Sequence, residues 1–138
     1  MIIVLSFFTG MGCEKEALPP NQAKGKIIGI TGSCLGNGVY IEVENPNGIG
    51  RKGREIPAGS GRVWNYENAI RVPYFQRIGL PPELMKEETW LYFEYGELTE
   101  EDRKQELFQP DEPVICLANQ IPPPASIYII TKIISHKP

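Results

Sequence analysis

The residues with the most chemical scope in this chain are its three cysteines, Cys13, Cys34 and Cys116. Cys13 closes an uncharged apolar leader, Met1-Ile-Ile-Val-Leu-Ser-Phe-Phe-Thr-Gly-Met-Gly12, and Glu14-Lys15-Glu16 follows at once. Bulky apolar residues that give way to small ones and then a cysteine have the layout of a bacterial lipoprotein signal. Such a signal is cleaved before the cysteine, whose sulfur takes the lipid. The leader is too short to cross a bilayer or to be an ordinary export signal, and it lacks a basic start. The true start is therefore expected upstream, or the leader is clipped. The alternative is an apolar N-terminus that is buried or disordered. If Cys13 carries lipid, Cys34 and Cys116 form an even pair in a compartment where disulfides persist. Their bond would close a loop of about 82 residues and stabilise the fold by roughly 4 kcal/mol on the chain-entropy view. Two separate buried thiols are the alternative.

A second set of residues suits anions and flat rings. Arg51, Lys52, Arg54 and Arg62 lie among five glycines between positions 48 and 61, with Trp64 and Tyr66 just beyond. Positive charge beside stacking surfaces is what single-stranded nucleic acid or an anionic glycan requires. A Gly-rich basic segment is also what a solvated hairpin tip looks like. The net charge of −3 and a pI near 5.3 argue against nucleic acid as a partner.

Other spacings imitate catalysis without its support. Thr31-Gly-Ser-Cys-Leu-Gly36-Asn-Gly38 matches the dinucleotide loop of short-chain dehydrogenases, and Tyr128-Ile-Ile-Thr-Lys132 matches their Tyr–Lys pair. The loop needs a helix N-terminus after it to hold phosphate, whereas an alternating strand, Val39-Tyr-Ile-Glu-Val, follows. Tyr128 and Lys132 meet only on a helix. In their β-branched context they would stand about 13 Å apart. Paired carboxylates, Glu42/Glu44 or Glu94/Glu97, are the raw material of glycoside hydrolysis. Glu42 and Glu44 fall on the wet face of a strand, where such groups are common. His136 is two residues from the end and is expected to fray. Ser33, Ser60, Ser126 and Ser135 have no His–Asp support. Two lone cysteines and one histidine give no metal-ligand spacing. No cofactor, metal or catalytic residue is expected, and a small hydrolase is the remote alternative.

The elements that must position these residues are mostly strands. After the 1–12 signal segment and a polar, proline-containing tether over 13–23, a single domain is expected over 24–138. Lys26–Thr31 and Val39–Glu44 form a hairpin through Gly36-Asn37-Gly38. Ala69–Phe75, Thr89–Tyr95, Val114–Ala118 and Ser126–Ile134 are further strands. In the second of these, Leu91, Phe93 and Tyr95 share one face, and Trp90, Tyr92 and Glu94 the other. Trp90 and Tyr92 are expected to pack under a helix over 98–108, with a ligand groove as the second reading. Leu80-Pro-Pro-Glu-Leu-Met-Lys-Glu predicts a short helical turn, and Thr99-Glu-Glu-Asp102 a capping box with aspartate in place of glutamate. The fold expected is all-β with minor α, a small OB-like antiparallel barrel or sandwich of five or six strands with one or two short helices.

Taken together, the leader ending in cysteine, Gly25-Lys-Ile-Ile-Gly…Cys34, Leu80-Pro-Pro-Glu-Leu-Met, Thr89-Trp-Leu-Tyr-Phe-Glu-Tyr95 and Cys116-Leu-Ala…Pro-Pro-Pro…Ile-Tyr-Ile-Ile-Thr-Lys-Ile resemble small secreted lipoproteins of Bacteroidota. The resemblance covers about 24–134 and implies an OB-like barrel. Glu14-Lys-Glu16 is similar to the acidic tract that sends lipoproteins of that phylum to the cell surface. The expected role is a non-enzymatic outer-membrane lipoprotein, lipid-anchored at Cys13, that binds a protein or glycan partner. An oligonucleotide- or anion-binding module using residues 51–62 is the alternative.

Overall fold

β-Branched and aromatic residues alternating with polar ones build five of the six strands among the described residues. The computed structural model describes residues 17–31, 38–55, 64–73, 80–102 and 126–138. The strands are β1 (Gln22–Thr31), β2 (Gly38–Glu44), β3 (Arg51–Glu55), β4 (Trp64–Val72), β5 (Trp90–Glu97) and β6 (Ser126–Lys137). Cys13, Cys34, Cys116, Arg62 and the strand expected at Val114–Ala118 lie outside the described residues.

Five of the strands close into a ring: β1 pairs with β2 and β5, β2 with β4, β5 with β6, and β4 with β6. Numbered within the ring, the order is 1-2-3-5-4, an OB-like barrel. One detail departs from the expected antiparallel barrel, because β4 and β6 run parallel. A closed ring with an odd number of strands cannot alternate direction throughout, so one parallel contact is unavoidable. The sixth strand, β3, adds to β4 below the point where β6 meets it. Residues 51–55 were expected as a loop. Pairing with β4 makes them a strand despite a sequence of three cations, a glycine and a glutamate.

Inside the ring lie Ala23, Ile27, Val39, Ile41, Val43, Ile70, Val72, Leu91, Phe93 and Ile130, all buried. The expected alternation holds in β5, where Leu91 and Phe93 point in and Trp90 points out. It holds in β2 for the inward Val39, Ile41 and Val43, but Tyr40, on the face expected to be wet, is fully buried. Gly38 opens β2 at φ +146, and a Cβ there would lie 2.3 Å from the Val72 carbonyl, so glycine is required. β4 starts at Trp64, earlier than expected, and ends at Val72 before the fully buried Pro73. The helical turn expected after Leu80 is a 3-10 turn at Pro82–Leu84. The aspartate capping box forms as expected. Thr99 donates from its backbone N–H (3.0 Å) and its hydroxyl (2.8 Å) to Asp102 Oδ2, and the Asp102 N–H donates to Thr99 Oγ1 (3.1 Å).

A bulge in β4 decides which way its lower half faces. Ala69 pairs with Arg51 and Tyr66 with Gly53, so Glu67 and Asn68 oppose only Lys52. Their backbone N–H groups both donate to Glu42 Oε1, at 3.1 and 2.8 Å. The Asn68 side chain donates to the Val43 carbonyl at 2.9 Å. Glu42 is thus a structural acceptor. The extra residue turns Trp64 and Tyr66 to the outer face shared by Ala69, away from the inward Ile70 and Val72.

Replacing Glu42 with Ala leaves two bulge N–H groups without their acceptor and should cost about 1–3 kcal/mol in urea unfolding. Glu44→Ala, on an exposed position of the same strand, should stay within about 0.5 kcal/mol. Equal losses would contradict the role given to Glu42.

Tyr95 offers a pH test. Its ring meets Phe93 and Tyr128 edge-on, at centroid distances of 6.5 and 5.2 Å. Burial first and Tyr128 second push its phenol above the usual 10.0, while a hydrogen bond with Asn47 acts the other way. The folded state therefore holds this proton more tightly than the unfolded chain. The stabilising contribution is intact below pH 10.0 and is lost as pH rises through the folded-state pKa. Tm should fall in that alkaline range, and Tyr95→Phe should flatten the fall. An unchanged slope in the variant would contradict the assignment.

Candidate functional site on the outer face of β1, β5 and β6

The alternation of β5 that buries Leu91 and Phe93 pushes Trp90 and Tyr92 outward, about 7 Å apart along the strand. The neighbouring strands set polar residues beside each ring. Lys24 of β1 is in register with Tyr92, and also with Glu44 of β2. Ser135 of β6 faces Tyr92 from the other side. One row along, Lys26 and Lys137 flank Trp90. Residues distant in the chain thus meet in an open groove of about 470 Å³ lined by Lys24, Glu44, Trp90, Tyr92, Ser135 and Lys137. His136 also lines it. It pairs with Leu91 in the β5–β6 ladder, so the fraying expected of it is replaced by an ordered strand position.

The two rings differ in availability. The Tyr92 hydroxyl donates to Gln22 Oε1, and Gln22 Nε2 donates to Glu94 Oε1 at 3.4 Å. Lys24 Nζ sits 5.0 Å from the Tyr92 ring centroid, a cation–π contact that covers that face. Tyr92 is therefore held in place at its tip and its face. Trp90 is 41% exposed, the most open of the large apolar side chains among the described residues. Most of the helix expected over 98–108 as cover for this ring lies outside the described residues. Lys26 is occupied by Glu88, 3.1 Å away. Two bulges in β6, at Thr131 and Ile134, bend that strand, and the second leaves Ile134 38% exposed near the same end of the sheet.

The residues first singled out for binding are placed differently. Arg51, Lys52 and Arg54 are exposed on β3, which pairs with β4 and takes no part in the groove. Lys52 forms an exposed ion pair with Glu67 at 3.1 Å. Tyr66 is 2% exposed, so its ring cannot serve as a stacking surface. It packs 6.2 Å from Tyr40, and Trp64 meets Tyr40 edge-on at 5.4 Å. Trp64, half-buried, also lies across Gly29, where a Cβ would fall 2.3 Å from the indole. The aromatic pair next to the basic segment thus belongs to a second packed cluster with Tyr40, Ala69 and Ile28 on the outside of the barrel. The buried Arg71 is in register with Tyr40 on the same side.

Among the described residues, two of the carboxylates considered for hydrolysis have structural partners. Glu42 is committed to the bulge, and Glu94 accepts from Gln22. Tyr128 and Lys132 lie on the extended β6, as the strand reading requires. Among the described residues no group of three or more His, Cys, Asp or Glu side chains converges to hold a metal. No helix there is long and apolar enough to cross a membrane. No protein-family model matches the chain, and no curated protein matches it.

Trp64 and Trp90 are the two tryptophans of the chain, which makes their exposure separable. With Trp64→Phe, the remaining Trp90 emission should be quenched steeply by acrylamide and lie to the red. With Trp90→Phe, the Trp64 emission should be bluer and better protected. The reverse order would contradict the orientation of β5.

Proposed function

We propose that this chain is a non-enzymatic binding module of the cell envelope, a lipoprotein anchored through Cys13 whose barrel offers the Trp90 groove to a glycan. The observation that carries the reading is the exposed indole of Trp90, bordered by lysine, serine and glutamate side chains. A sugar ring has one face of C–H groups and a rim of hydroxyls. It matches an open aromatic plate with donors and acceptors round its edge. The groove is shallow, and its titratable groups are set out along a row of strands. That favours binding over turnover. A protein partner is the second reading, for which Trp90 and Ile134 would be the anchors.

Location rests on the leader, on Cys13 and on the resemblance to small Bacteroidota lipoproteins, which together argue for an outer-membrane anchor. A disulfide between Cys34 and Cys116 goes with that compartment. Non-reducing peptide mass analysis of the protein from its native envelope should find a chain starting at a lipid-bearing Cys13 and a Cys34–Cys116 peptide. An unmodified Cys13 with free thiols would contradict the envelope assignment.

Binding is tested by isothermal titration of the folded domain with envelope-type oligosaccharides. Trp90→Ala should weaken binding at least tenfold, a loss of about 1.4 kcal/mol. Removing Arg51, Lys52 and Arg54 together should change it little. The opposite pattern would favour the anion- or oligonucleotide-binding alternative on β3.

A further inference from the structure

We infer that the groove selects acidic saccharides, whose sugar ring stacks on Trp90 while a carboxylate, sulfate or phosphate substituent meets Lys24 and Lys137. The inference rests on the glycan reading above and deepens it. Its ground is a local reversal of charge. The whole chain carries −3, yet the groove lining sets two lysines, Lys24 and Lys137, against one carboxylate, Glu44. Counting the lysines and the carboxylate alone, the lining is +1, from two positive charges and one negative.

The two lysines are available in a way that Lys26 is not. The Lys26 ammonium is 3.1 Å from Glu88. Among the described residues neither Lys24 nor Lys137 has a carboxylate within ion-pair distance. Lys24 lies over the Tyr92 ring at 5.0 Å, an arrangement that leaves its ammonium near the surface and open to a further anion. Lys137 is directly across the ladder from Trp90, so the two Cβ atoms are about 5 Å apart. A lysine stem of that reach can bring its ammonium to the edge of a ring stacked on the indole.

The apolar face of Trp90 excludes water from one side of such a contact, which strengthens the Coulomb attraction relative to bulk solvent. Neutral sugars would retain the stacking and lose the charge contact. Oligonucleotides share the anionic backbone, but they gain most from a series of open aromatic plates. Here Lys24 covers the second plate, Tyr92.

The test is a titration of the intact folded domain with matched probes, oligogalacturonate and its fully methyl-esterified form, with hyaluronan oligosaccharides and an oligothymidylate alongside. At 50 mM salt the acidic probes should bind at least tenfold tighter than the ester. Raising salt to 500 mM, or the pair Lys24→Gln and Lys137→Gln, should bring the two forms to within about twofold. Circular dichroism of the lysine variant should match that of the wild-type domain, which confirms the fold. Trp90→Ala should weaken both.

Equal affinities for acid and ester, both reduced by Trp90→Ala, would overturn the acidic selectivity and leave the glycan reading standing. Saccharide binding that ignores Trp90→Ala, or no saccharide binding at all, would overturn both. Tighter binding of oligothymidylate than of any acidic saccharide would overturn the assignment in favour of nucleic acid.

Discussion

β4 serves three partners, and the rest of the barrel depends on how it does so. Its upper half pairs with β2 on one edge and meets β6 on the other, while its lower half pairs with β3. The bulge at Glu67 and Asn68 lies below these upper pairs, held by the Glu42 carboxylate and by the Asn68 side chain on Val43. The upper half can then send Ile70 and Val72 into the core while Trp64 and Tyr66 face outward. Without the bulge, strict alternation would place Tyr66 on the same side as Ile70 and drive a second large ring into a filled core.

That reversal distributes the aromatic residues over the surface. Trp64, Tyr66 and Tyr40 gather over β1, β2 and β4, where Gly29 gives the indole room. This is the side on which OB barrels usually take ligands, on their second and third strands. Here it is filled by the chain's own side chains. The open aromatic surface is instead on β5, carried by Trp90, with β1 and β6 supplying lysines. Two separate aromatic groups follow from one sequence. The packed one stabilises the sheet, and the open one faces solvent.

How far the sequence discloses this depends on whether a feature is local. The alternation in 90–95 is legible because one face of the strand is more deeply buried than the other. In 39–44 it marks the inward Val39, Ile41 and Val43 but not the burial of Tyr40 on the outer face. The antiparallel pairing of β1 with β2 is also legible, and so is the Thr99–Asp102 capping box, since cap chemistry spans only a few residues. β3 is not: Arg51-Lys-Gly-Arg-Glu55 has poor strand propensity, and pairing with β4 overrides it. The bulges in β4 and β6 are also hidden, because a bulge exists only relative to a partner strand. Tyr66 therefore reads as a companion of the basic segment although it is buried. The Trp90 groove was half-visible. Trp90 and Tyr92 stand out in the alternation of β5, but Lys24, Ser135 and Lys137 join them only through cross-strand register.

The central claim is that the contact surface lies on β1, β5 and β6 and not on the basic strand β3. Amide chemical-shift mapping during titration with envelope oligosaccharides tests it most directly. The account predicts perturbations clustered at Lys24, Trp90 to Tyr92 and Ser135 to Lys137, with Arg51 to Glu55 unmoved. Perturbations centred on Arg51 to Glu55, with the Trp90 groove silent, would contradict it.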